Sequence, residues 1–117
     1  MASSYSKGID AEGVAAETLE RKGFNILDRR YRTPAGELDL IVADRERLAF
    51  VEVKRRSSRA EAVEAISARQ QARMTVAAEI WLQEHPEYAE RDMTFDAVLI
   101  CPSSSPHHIH DAFRPVG

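Results

Sequence analysis

Residues 36–54 read GELDLIVADRERLAFVEVK. Two runs rich in Leu, Ile, Val and Phe, residues 37–43 and 48–54, flank the polar stretch Asp44-Arg45-Glu46-Arg47, the pattern of two strands joined as a hairpin. A four-residue loop sets Ala43 opposite Leu48, and carrying that register outward sets Asp39 opposite Glu52 and Glu37 opposite Lys54. Side chains alternate faces along a strand. Glu37, Asp39, Glu52 and Lys54 are therefore expected on one face, with Leu38, Leu40, Val42, Val51 and Val53 on the other. The Asp39 and Glu52 carboxylates would then have Cβ atoms about 5 Å apart, where like charges destabilise a sheet.

Two readings account for that pair. In the first it is a half-site for a divalent cation: Mg²⁺ takes hard oxygen ligands, accepts one or two carboxylates from a protein and keeps positions open for water and substrate phosphate. Lys54, two residues beyond Glu52 on the same face, would then direct its charge at the phosphate and orient an attacking water. In the second, the hairpin turns a polar side to solvent, with a Glu37–Lys54 cross-strand pair and an incidental Asp39–Glu52 juxtaposition.

Outward from the hairpin, Asp10 to Lys22 has helical spacing, with Asp10 as N-cap, Ala15, Ala16 and Leu19 as the apolar stripe and Gly23 as C-terminal cap. Glu12 falls on that stripe. Asn25 to Arg32 reads as a strand and Thr33-Pro34-Ala35-Gly36 as a turn. A long helix is expected over Ala60 to Glu84, with Val63, Ile66, Gln70, Met74, Ala77 and Trp81 facing inward, Gln70 the polar member. Pro86 stops it, and Thr94 to Ile100 reads as a further, mostly apolar strand. Residues 102–117 read as a short edge strand around His108 to Ala112 or as a partly disordered tail.

The 117 residues fit one domain, with its core over about residues 8–101. At 44% hydrophobic and 30% charged the composition is that of a globular domain. No apolar run is long enough to cross a bilayer and MASSYSKG lacks the apolar centre of a signal peptide, so the expectation is a cytoplasmic protein with no membrane partner. The single Cys101 makes no internal disulfide and no CxxC zinc pattern. Net charge is −3, yet Arg21 to Arg73 carries +5 and the remainder −8. Arg29, Arg30 and Arg32 lie to one side of the hairpin and Lys54, Arg55, Arg56 and Arg59 to the other. Such clusters are either solvated faces or a surface for backbone phosphates.

Asp39 followed by Glu52-x-Lys54 resembles the PD-(D/E)xK nuclease superfamily. More closely, Gly8-x-x-x-Glu12, GFNILDRRYR (23–32), GELDLI (36–41), FVEVKRR (50–56) and FDAVLI (95–100) together resemble the small bacterial YraN-like family, itself similar to archaeal Holliday-junction resolvases. The resemblance implies an α/β, restriction-endonuclease-like fold, a central mixed β-sheet flanked by helices on both sides. It implies a nuclease that hydrolyses DNA phosphodiesters, branched or junction DNA included, with DNA preferred to RNA. Asp39, Glu52 and the Val53 carbonyl would hold Mg²⁺ or Mn²⁺, Glu12 would reach toward the ion, and Lys54 would be the catalytic lysine. Gln70 stands where the family often has Lys, and related nucleases use a glutamine in that region. Two further departures are Ala11, where the family has Gly, and Leu38-Asp39, where the superfamily's name has Pro-Asp.

Arg29, Arg30, Arg32, Arg55, Arg56 and Arg59 would then contact backbone phosphates, giving salt-dependent binding largely blind to sequence. A four-way junction, being two-fold symmetric, would favour a homodimer. The competing expectation is a nuclease-like fold that binds nucleic acid without cutting it. Elsewhere, His108 and His110 share a strand face and with His107 form a weak metal pattern, set against a solvated tail. Asp96 reads as a structural polar residue paired with a neighbour. Tyr31, Phe50 and Trp81 could stack on bases, although Trp81 lies on an apolar stripe.

Overall fold

The expected hairpin forms the centre of a five-stranded sheet in the computed structural model, which describes residues 2–56, 66–102 and 104–115. The chain runs α1 (Ala2–Arg21), β1 (Asn25–Thr33), β2 (Gly36–Ala43), β3 (Arg47–Arg55), α2 (Ala68–Glu84), a 3₁₀ turn (Pro86–Tyr88), β4 (Asp92–Ile100) and β5 (His107–Phe113). Strand order follows chain order, with β3–β4 parallel and the other neighbours antiparallel. A parallel pair needs a crossover connection, and the segment that carries α2 supplies it.

Alternation along β2 and β3 divides the core between the two helices. Leu40, Val42, Ala49 and Val51 pack with Ala15, Ala16, Leu19 and Phe24 at α1, while Ile41, Ala43, Leu48 and Phe50 pack with Met74, Ala77, Ala78 and Trp81 of α2. The helices thus cover opposite faces of a mixed sheet, the α/β architecture expected. Gly23 ends α1 with φ 97°; its N–H reaches the Glu20 carbonyl at 2.9 Å and that of Phe24 reaches Leu19 at 3.1 Å, the paired bonds of a Schellman cap. Ser67 caps α2 by accepting the Gln70 N–H at 3.1 Å.

Three expectations need correction. α1 begins at Ala2 rather than at Asp10, because nothing in residues 2–9 stops a helix as a proline would. α2 begins at Ala68 rather than at Ala60, because Ser67 is already its extended cap; Val63 and Arg59 lie outside the described residues. Of the two readings of the stretch after residue 101, the edge strand is the one that forms: β5 pairs antiparallel to β4 at the sheet's second edge. Leu38 packs in the α2 cluster, not with Leu40 and Val42. The alternation breaks at Asp39, opposite which Arg30 adopts φ 53° and drops out of the β1–β2 pairing between Arg29↔Leu40 and Tyr31↔Leu38.

Gly36 fixes where α2 can lie. A Cβ there would stand 1.9 Å from the Arg73 carbonyl oxygen, so the helix backbone rests directly on the start of β2. Among the described residues no helix is long and apolar enough to cross a membrane.

Candidate metal centre

The β2–β3 register is the one expected, from Ala43↔Leu48 to Leu40↔Val51, and there it ends. Beyond that point the strands part, so Asp39 and Glu52 are not a ladder pair. Instead the Val53 N–H, which a continued ladder would give to a backbone carbonyl, donates to Asp39 Oδ2 at 2.8 Å. N–H and C=O of one strand residue project to the same edge, which turns the Val53 carbonyl toward the same opening.

The opening still brings the two acids together. The Asp39 and Glu52 carboxyls lie within hydrogen-bonding reach of each other. Glu52 is 8% exposed, and its Oε2 accepts from Gln70 Nε2 at 2.6 Å and faces Lys54 Nζ at 3.2 Å. Burial first, and the Asp39 charge second, push Glu52 up to about 7 against the pull of Lys54. Burial also raises Asp39, although the Val53 N–H stabilises its charged form. These carboxyls titrate as a pair, and bringing both to the charged state is costly without a cation between them.

Glu12 approaches from α1. Its Oε1 accepts from Arg30 Nε at 2.8 Å, and its charge helps to raise Asp39. Among the described residues no three His, Cys, Asp or Glu side chains converge closely enough to hold a metal ion. The donor set that fits a hard cation is therefore the Asp39–Glu52 pair with the Val53 carbonyl, Glu12 standing outside it. Two carboxylates are within what Mg²⁺ takes from a protein.

Glu37 does not pair with Lys54. In the ladder it faces Arg32, and its carboxylate takes a two-pronged bond from Arg73 of α2, at 3.2 and 2.9 Å, which holds it below the usual carboxylate range. Arg29, Arg32 and Arg55 are exposed; Arg56 is half-buried, with its guanidinium on the Arg55 carbonyl. Phe50 and Trp81 are sealed in the core, each 1% exposed, so neither stands free to stack on a base; Tyr31 is half-buried and donates its hydroxyl to Glu84.

A second charged cluster lies elsewhere. Asp96 is fully buried and accepts from His108 Nε2 at 2.7 Å and from the Asp111 N–H at 3.0 Å. Lys22 Nζ lies 2.9 Å from His108 Nδ1, so Nδ1 accepts and Nε2 carries the proton. Burial acts to raise Asp96, but His108, the Asp111 N–H and Thr94 outweigh it and hold the carboxyl low. His108 is thus the partner Asp96 needed and no part of a solvated tail. The signal was a lone Asp in the apolar run FDAVLI, since an acid in a central strand requires a counterpart.

Residues 11–100 match the family model described as "Uncharacterised protein family UPF0102". A UPF0102 protein of Rhodopseudomonas palustris is 46% identical over 110 residues, covering 94% of this chain and 85% of the relative. One from Bradyrhizobium diazoefficiens is 49% identical over 110 residues, covering 94% and 83%, and one from Nitrobacter winogradskyi is 46% identical over 110 residues, covering 94% and 93%. These names state no activity.

Proposed function

Because this chain belongs to the family UPF0102, whose name assigns no chemistry, we propose from its own side chains that it is a metal-dependent nuclease of the PD-(D/E)xK type acting on DNA phosphodiesters. One observation carries the reading: two acids, the buried Glu52 and the half-buried Asp39, come within hydrogen-bonding reach at the point where β2 and β3 part, with Lys54 beside them. With both acids charged the contact costs the fold stability, since removing either charge would relieve it. Mg²⁺ or Mn²⁺, held by Asp39, Glu52 and the Val53 carbonyl, would supply positive charge for the non-bridging phosphate oxygens.

The chain's own groups divide the remaining work. Gln70 fixes the Glu52 carboxylate by its 2.6 Å bond, and the Val53 N–H fixes Asp39. Lys54 Nζ, 3.2 Å from Glu52, orients the attacking water and stabilises charge that builds on the phosphate. Arg29, Arg32 and Arg55, exposed on the strands around the site, bind neighbouring backbone phosphates. Flapped, branched or junction DNA is the proposed substrate class, and a homodimer would match a two-fold junction.

A non-cutting nucleic-acid-binding module is the second reading. It is favoured by Glu12, which is tied to Arg30 and leaves the site with two acids. Cleavage of labelled single-stranded, flapped, duplex and four-way-junction DNA with Mg²⁺, Mn²⁺ or EDTA separates the two. Products that need metal and vanish in Asp39→Asn support the nuclease; DNA retained but uncut under every metal supports the module.

A further inference from the structure

Arg30 holds a backbone conformation that its residue type disfavours. At φ 53° within β1 it sits in the left-handed region, where a Cβ crowds the following carbonyl and where Asn is far more at ease. The strained turn delivers its guanidinium to Glu12, at 2.8 Å. That contact does not offset the strain. The Arg30 side chain is 61% exposed, and a solvent-screened ion pair adds little stability. Strain that the local contacts do not repay points to a role at a neighbouring site.

The neighbouring site is the carboxylate pair. Arg30 is attracted by Asp39 as well as by Glu12, and Glu12 in turn acts on Asp39. The centre's cations are therefore divided, Lys54 on Glu52 and Arg30 on Glu12. Turning Glu12 Oε1 toward a cation at Asp39 and Glu52 would cost the carboxylate its bond to Arg30.

We infer that Arg30 is an exchangeable keeper of Glu12: it holds the carboxylate while the site is metal-free, and a divalent cation frees its guanidinium for a substrate phosphate. The inference rests on the proposed nuclease reading and adds a specific linkage to it. Arg30 opposes metal binding through Glu12 and favours DNA binding, so the two affinities move in opposite directions when it is removed. Arg30 is thus a positioning residue for Glu12 before it contacts substrate.

The test is a calorimetric titration of Mn²⁺ into wild type, Arg30→Asn, Glu12→Gln and the double variant. Asn suits the left-handed backbone, so Arg30→Asn leaves the strand intact, and a melting curve checks this. Arg30→Asn should bind Mn²⁺ about three- to tenfold more tightly, an effect that disappears in the Glu12→Gln background. Its affinity for duplex DNA in Ca²⁺ should fall, with a salt slope smaller by about one. Unchanged or weaker Mn²⁺ binding in Arg30→Asn, or tightening that persists without Glu12, overturns the inference and leaves the nuclease reading standing. Absence of Mn²⁺ binding in the wild type overturns both.

Discussion

Glu52→Gln should make the metal-free protein more stable, and the size of the gain can be worked from the site. Glu52 is pushed from 4.5 in a free chain to about 7 in the fold, chiefly by burial. Between those values the folded chain binds more protons than the unfolded one, so this group's contribution is fully present below about pH 4.5 and is lost as pH rises through about 7. At 1.36 kcal/mol per unit, keeping Glu52 charged at pH 8 costs about 3 kcal/mol. Gln is neutral at every pH, nearly the same shape, and can accept the same bond from Gln70 through its carbonyl oxygen. For a chain of this length about 3 kcal/mol corresponds to a rise on the order of 10 °C in Tm. Thermal melts in EDTA, followed by circular dichroism, should show that rise at pH 8 and nearly none at pH 4. A variant equal to or less stable than wild type at pH 8 would refute the claim that this carboxylate is held against stability.

Other expectations concern groups on both sides of the sheet. Lys54→Ala should lower kcat by about 100-fold or more while Mn²⁺ affinity stays within a few fold; a change confined to KM would argue for a binding role. His108→Ala leaves the buried Asp96 without its main partner and should cost about 3–5 kcal/mol, with hydrogen exchange showing β5 opening first. Because Asp96 sits lower in the fold than in a free chain, its contribution is present above the ordinary carboxylate range and is lost as pH falls through the folded value. Gly36→Ala sets a methyl against the Arg73 backbone, so α2 must shift, at a cost of about 2–3 kcal/mol in denaturant melts; an unchanged midpoint would show that the contact is loose.

Local pattern carried most of the architecture. The Asp44–Arg47 loop set the hairpin register, Gly23 marked the end of α1, and Met74, Ala77 and Trp81 at helical spacing found the buried face of α2. Motif and resemblance single out Asp39, Glu52, Lys54 and Gln70, and the fold brings them together. Tertiary geometry accounts for what was missed. The left-handed Arg30 and the parting of β2 from β3 change which face Leu38 meets, and no residue type nearby announces either event. Glu37 chose Arg73 over Lys54 because α2 crosses the start of β2, a proximity that only Gly36 hinted at. The spacing of His108 and His110 suggested a metal pattern, whereas the acid at Asp96, on the neighbouring strand, determined the use of His108.

The central claim is that Asp39 and Glu52 touch because a cation belongs between them. Crystals soaked in Mn²⁺ and measured at the manganese absorption edge test it directly. The account predicts an anomalous peak within about 2.3 Å of both carboxylates, at the Val53 carbonyl edge, absent in Asp39→Asn. A peak at His108 and His110 instead, or none under saturating Mn²⁺, would contradict it.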